Sequence, residues 1–166
     1  MDKVELPLIG QIDISSLRSF YRTIIPVNGM EVHFDLNFGG KDLNGQSILR
    51  LTTFLENLSR FHLQNLSFIK HNFYQNDSVV REYIKFQINE NLDSIYEILE
   101  LDENSTETEE LFLTKFSLVR IGIYIEDNEI LKNFAVFDYS ISEITNYLIV
   151  LKTDDQGVVN EICWEG

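Results

Sequence analysis

An α+β fold, with a mainly antiparallel sheet and two to three helices packed on one of its faces, is what this 166-residue sequence predicts. Three observations carry the expectation. Val32, Phe34, Leu36 and Phe38 alternate with Glu31, His33, Asp35 and Asn37, the period of two of a half-buried strand. From Ile48 the apolar spacing switches to three and four, the period of an amphipathic helix. After Phe116 come four short runs rich in β-branched and aromatic residues, separated by turn residues, which reads as an antiparallel meander. The resulting layout is strands, then helices, then strands, in one domain spanning 1–166.

The elements follow in order. Glu5–Ile14 alternates partially, with Pro7 near its start, and predicts an edge strand. Ser15-Ser16 predicts the cap of a short helical piece running through Arg22, and Asn28-Gly29 a tight turn into the strand of Val32–Phe38. Gly39-Gly40 and Asn44-Gly45 then break the chain. Ile48, Leu51, Leu55, Leu58 and Phe61 predict a helix over about 46–62, with Glu56 and Arg60 paired on its wet side. Asn76-Asp77-Ser78 offers caps for a second helix whose stripe is Val79, Val80, Tyr83, Ile84 and Gln87-Ile88. A short third helix is expected around Asp93–Leu101. Residues 102–110 read as an exposed acidic loop. The closing strands are placed at Phe116–Ile125, Phe134–Ser140, Thr145–Lys152 and Val158–Trp164, with turns at Asp127-Asn128 and Asp154-Asp155-Gln156-Gly157.

Composition bounds the function. Thirteen Lys and Arg stand against 27 Asp and Glu, a formal net charge of −14. Such a field repels phosphate backbones and anionic lipid surfaces, so neither nucleic acid nor membrane is expected as a partner. A basic protein is the partner it would complement. Cys163 is the single cysteine, which rules out an intrachain disulfide. Met1-Asp2-Lys3-Val4-Glu5 does not read as a signal peptide, and no apolar run reaches the roughly 20 residues of a membrane helix. A cytoplasmic location is expected, in which the Asn-x-Ser/Thr triplets at Asn65, Asn76 and Asn104 carry no meaning.

Chemistry-bearing residues are sparse. His33 and Asp35 share the outer face of one predicted strand, a pairing able to orient an imidazole; the plainer reading is a solvated strand face. His62 and His71 lack the spacing of a helical zinc pair, and no Cys/His cluster is present, so no metal and no other cofactor is assigned. Cys163, between Ile162 and Trp164, reads as a buried structural thiol. The glycine turns before residue 46 lack both phosphate-binding patterns, and Asp154–Gly157 lacks the spaced ligands of a calcium loop. The remaining feature is a possible interaction patch of Asp102, Glu103, Glu107, Glu109 and Glu110, whose plainer reading is a solvated loop.

Phe137-Asp138-Tyr139-Ser140-Ile141-Ser142, Thr145–Val150 and the Asp154…Gly157-Val158…Ile162 turn and strand, together with Val32–Phe38 followed by a helix, resemble the bacterial family catalogued as domain of unknown function two-thousand-four. The resemblance implies an α+β fold and a bacterial cytoplasmic source, and it supplies no catalytic residues. Three function classes follow. The leading one is a non-catalytic protein-binding module, in its sharpest form an acidic immunity-type inhibitor of a basic toxin. The second is a small-ligand-binding protein or enzyme with its site near His33 and Asp35. The third is a self-associating module, forming a homodimer through a sheet edge.

Overall fold

The computed structural model describes residues 2–40, 42–100, 107–125, 133–141 and 144–166. Two hairpins open the chain. The first joins β1, Lys3–Leu6, to β2, Gly10–Asp13, as a separate two-stranded sheet. Where the sequence predicts a single edge strand, Pro7 and a left-handed Leu8 (φ 65) fold the segment back on itself and bury Leu6 and Ile12. Asp13 accepts the Ser15 N–H and caps one 3-10 turn at Ile14–Ser16. The expected helix through Arg22 is replaced by a strand, β3, Phe20–Val27.

β3 pairs antiparallel with β4, Met30–Asn37, through the predicted turn. Asn28 (φ 47) and Gly29 (φ 80) supply the two left-handed residues that a two-residue hairpin loop requires. The helices follow. Asn44 accepts the Ser47 N–H at 2.8 Å and starts α1, Gly45–Glu56. The single helix expected over 46–62 is two: α1 stops at Asn57 and α2 runs over Leu58–Phe73. Asn57 Nδ2 donates to the Thr53 carbonyl at 2.8 Å, taking the acceptor that its own N–H would use in an unbroken helix. Glu56 and Arg60 therefore lie on different helices, and the Arg60 guanidinium sits over the Phe61 ring instead.

Ser78 caps α3, Val79–Glu90, by accepting the Arg81 N–H, while Asn72 at the end of α2 accepts from Val80 N–H and Ser78 Oγ. α4, Leu92–Ile98, buries Ile95, and α5, Thr108–Leu113, buries Phe112. Part of the expected acidic loop is thus helical. Among the described residues the helices number five rather than two to three.

The four closing strands stand where the sequence predicts them: β5, Ser117–Tyr124; β6, Ala135–Ser140; β7, Leu148–Thr153; and β8, Val159–Glu165. The turn expected at Asp127-Asn128 lies outside the described residues. The six strands form one sheet in the order β3-β4-β5-β6-β7-β8, antiparallel except where β4 meets β5 in parallel. All five helices fall in the crossover between those two strands, and they cover one face. There Phe54 packs on Phe134 at 5.0 Å, and Tyr83 packs on Phe116 and Trp164 at 5.7 and 6.1 Å. The core is one continuous cluster between helices and sheet, and it includes Leu6 and Ile12 of the first hairpin. Gly157 (φ 76), in the β7–β8 turn, lies against α2 so closely that a Cβ would stand 2.2 Å from the Phe61 ring.

Candidate functional site

The face of the sheet opposite the helices carries polar residues in cross-strand rows. One row runs Ile24, His33, Arg120, Asp138, Val150 and Cys163 from β3 to β8; the next sets Arg22, Asp35 and Gly122 side by side. A bulge makes this arrangement possible. Leu118 pairs with Tyr139 and Arg120 with Asp138, so β5 spends one extra residue, Val119, against β6. Leu118 consequently points into the core while Arg120 emerges on the open face.

Arg120 is the hub of that face. Its Nε donates to Asp35 Oδ2 at 2.7 Å, its Nη1 to Asp138 Oδ2 at 2.9 Å, and its Nη2 reaches the Tyr124 hydroxyl at 3.5 Å. Arg22 Nε donates to the other Asp35 oxygen at 2.8 Å, and the Arg22 guanidinium lies 5.2 Å from the centre of the Phe20 ring. Gly122 leaves room for this closure, since a Cβ there would stand 3.2 Å from the Tyr124 ring and 3.3 Å from Arg120 Nη2. The side chains of Asp35 and Asp138 are only 3% and 5% exposed. Burial raises the Asp35 pKa, but hydrogen bonds from Arg22 and Arg120 outweigh it and hold the carboxyl below its usual value of 3.8. For Asp138 burial wins over Arg120, and the pKa is raised. Burial lowers the Arg120 pKa, and the hydrogen bonds to Asp35 and Asp138 more than reverse that.

The pairing of His33 with Asp35 is therefore not the one that forms. The two share a face, as the alternation predicts, but Asp35 is buried and its hydrogen bonds come from arginines; His33 is exposed beside them. Cys163 lies in the last strand as expected, but half-buried on this open face rather than within the core. Burial pushes its thiol pKa up and the Glu165 carboxylate adds to the effect, the opposite of an activated nucleophile. Asp154 accepts from the Gln156 and Val158 N–H groups, and Asp155 pairs with Arg50 at 3.0 Å, so both acids hold the β7–β8 turn together. Among the described residues no group of three His, Cys, Asp or Glu could hold a metal ion, and no helix is long and apolar enough to cross a membrane.

Beneath the sheet lies a second polar cluster. His62 Nδ1 is 3.1 Å from the Tyr139 hydroxyl, the two rings stacked, and both side chains are buried. Burial holds the His62 imidazole below its ordinary pKa of 6.5 and raises the Tyr139 phenol. Asn65, wholly buried, offsets part of the burial effect on Tyr139, although neither of its amide atoms reaches hydrogen-bond geometry with any described group.

The described part of the predicted acidic patch lies with the helices rather than on the open face of the sheet. Asp102 and Glu103 lie outside the described residues. Glu107, Glu109 and Glu110 belong to the start of α5, where Glu107 and Glu110 line a groove of about 490 Å3 between α2 and α5. Its walls include Leu66 and Ile69 from α2, Leu111 and Leu113 from α5, and Phe116. Tyr74 donates to Glu110 Oε1 at 3.2 Å and ties the two helices at the rim. A shallower hollow beside it holds Glu109 with Arg81 and Lys85. The patch is larger than its sequence reading. From Phe86 to Thr114 the chain carries Glu90, Asp93, Glu97, Glu100, Asp102, Glu103, Glu107, Glu109 and Glu110, nine carboxylates, and no Lys, Arg or His. Of the seven described, six are exposed and Glu109 is half-buried.

With this geometry established, comparison with known proteins gives no match: no family model, no curated protein and no solved structure is similar to the chain.

Proposed function

We propose that this protein is a non-catalytic protein-binding module that engages a basic partner through the acidic surface of α4 and α5. The observation that carries the reading is a nine-carboxylate stretch of sequence without a single base, of which Glu107 and Glu110 line an apolar groove. Lys70 in the groove and Arg81 and Lys85 in the adjoining hollow offset only part of that charge. Complementary fields of this kind accelerate encounter and select partners by sign. The most specific form of the reading is an immunity-type inhibitor that neutralises a basic toxin through charge complementarity.

The polar groups elsewhere support the same direction. Asp35 and Asp138 are spent on Arg22 and Arg120, and Cys163 sits in an environment that disfavours its thiolate.

Co-expression with a basic protein encoded beside this one tests the reading. A complex is expected whose affinity falls steeply with salt and falls again when Glu107, Glu109 and Glu110 are all changed to Gln. A complex indifferent to both salt and the triple change overturns it.

A further inference from the structure

We infer that the groove between α2 and α5 seats the apolar face of a basic amphipathic helix contributed by the partner. This deepens the binding function proposed above and rests on it. The groove has an apolar floor, from Leu66, Leu111, Leu113 and Phe116, and an acidic rim from Glu107 and Glu110. The strip continues along α2. Leu63, Leu66 and Lys70, and Tyr74 at the C-cap, follow one another at spacings of three and four and so share one side, with the Lys70 cation between the apolar side chains. Leu63 is 58% and Tyr74 54% exposed.

The shape fits a helix better than a single inserted side chain. The strip follows the α2 axis from Leu63 to Tyr74, eleven residues and so about 16 Å at the rise of an α-helix. Facing helices pack along such strips through residues at three- and four-residue spacing. The rim sets the sign of the occupant. Glu107 and Glu110 line the groove, and Glu90, Asp93, Glu97 and Glu100 are exposed in the chain that precedes α5, so cations on the polar flank of the incoming helix meet carboxylates. A second copy of this chain is the wrong occupant, because at −14 each the two would bring like charge to the same rim. The Tyr74–Glu110 hydrogen bond holds one rim aromatic in place, and aromatic residues so placed carry much of the binding energy at protein interfaces.

Two synthetic peptides of about 15 residues, long enough to span the strip, test the inference. Both carry the same Lys and Arg residues; one has leucines and a tryptophan along a helical face, and the other has serines there. Fluorescence anisotropy reads affinity, and methyl NMR reads which side chains respond. The expected result is binding of the amphipathic peptide at least about tenfold tighter than its serine counterpart, with shifts in the Leu66, Leu111 and Leu113 methyls. The exposed changes Leu63→Ser and Tyr74→Ser, with folding checked for the second because its ring packs on Phe73, should each weaken the amphipathic peptide several-fold. Equal binding of the two peptides, or full affinity in both variants, overturns the groove while leaving the acidic surface standing. Binding that ignores Glu107→Gln, Glu109→Gln and Glu110→Gln together, or no binding of either peptide, sinks the acidic reading as well. Concentration-dependent dimerisation lost in Leu63→Ser would assign the groove to a second copy and also overturn the inference.

Discussion

Two regions of this molecule hold carboxylates in opposite ways. On the open face of the sheet, Asp35 and Asp138 are almost wholly buried and each is bonded to Arg120, with Arg22 as a second partner for Asp35. Between Phe86 and Thr114 six of the seven described carboxylates are exposed, on a stretch that contains no base. The first arrangement locks four neighbouring strands into register, since Arg22, Asp35, Arg120 and Asp138 come from β3, β4, β5 and β6 in turn. The second gives the fold the Tyr74–Glu110 contact at the groove rim, and most of it faces solvent. Charge that is bonded and buried is structure; charge displayed in excess stays accessible.

The comparison breaks most visibly at Arg120. Arg120→Ala leaves two buried carboxylates facing each other across β5 and should cost about 3 kcal/mol, the lower end for an orphaned buried charge because the guanidinium itself stays partly in water. Urea denaturation reads this as a lower midpoint. Arg120→Lys should recover only part of it, because a point charge cannot reproduce the three directed contacts of the guanidinium. Full stability in Arg120→Ala would mean that the network is incidental.

Acid separates the sheet face from the cluster beneath it. His62 has a folded pKa below its ordinary 6.5, so it contributes stability above that value and loses it as the pH falls. Asp35 is depressed below 3.8, so its contribution persists until the medium is far more acidic. Stability should therefore begin to decline as the pH falls through about 6.5, before the ion pairs of Asp35 are touched. His62→Gln should flatten that early limb in a series of denaturation midpoints; a limb of undiminished slope would place its origin elsewhere.

Gly122→Ala is a smaller change. The added Cβ pushes on the flexible ends of Tyr124 and Arg120, and about 1 kcal/mol is expected, seen as a shift of a few degrees in Tm. Smallest of all on stability is the triple change of Glu107, Glu109 and Glu110 to Gln, expected within about 0.5 kcal/mol of the parent. The same variant should lose salt-sensitive affinity for a basic partner, and that dissociation of the two readouts is the sharpest form of the contrast.

Much of this architecture is legible in the chain. The alternation through Val32–Phe38, the Asn28-Gly29 turn, the Ser78 cap and the four closing strands all follow from periodicity and turn chemistry. What escapes is instructive. β3 has apolar residues on both faces, Tyr21, Ile25 and Val27 on one and Phe20, Ile24 and Pro26 on the other, so its alternation is masked. The α1–α2 break keeps the apolar period intact from Ile48 to Phe61, because Asn57 ends one helix without disturbing the stripe. The ion network is beyond local reading altogether. Asp35 and Arg120 are 85 residues apart, and only the bulge at Val119, invisible in composition, turns Arg120 to the face that Asp35 occupies. His33 and Asp35 do share a face, but the partner that matters to Asp35 comes from elsewhere in the chain. The acidic patch is legible as charge, whereas the groove beneath it depends on α2 and α5 coming together.

The parallel junction of β4 and β5 has a consequence for how the chain is made. All neighbours in the large sheet follow one another in strand order, but β4 and β5 are separated by the five helices, so β4 can find β5 only after the whole helical crossover has been synthesised. While the ribosome is still extending the helices, the emerging β3–β4 hairpin offers the backbone of β4 with nothing to zip against, an interval in which a nascent chain is open to sticking to its neighbours. The slow event in maturation should be this late mid-sheet closure rather than the formation of either flank.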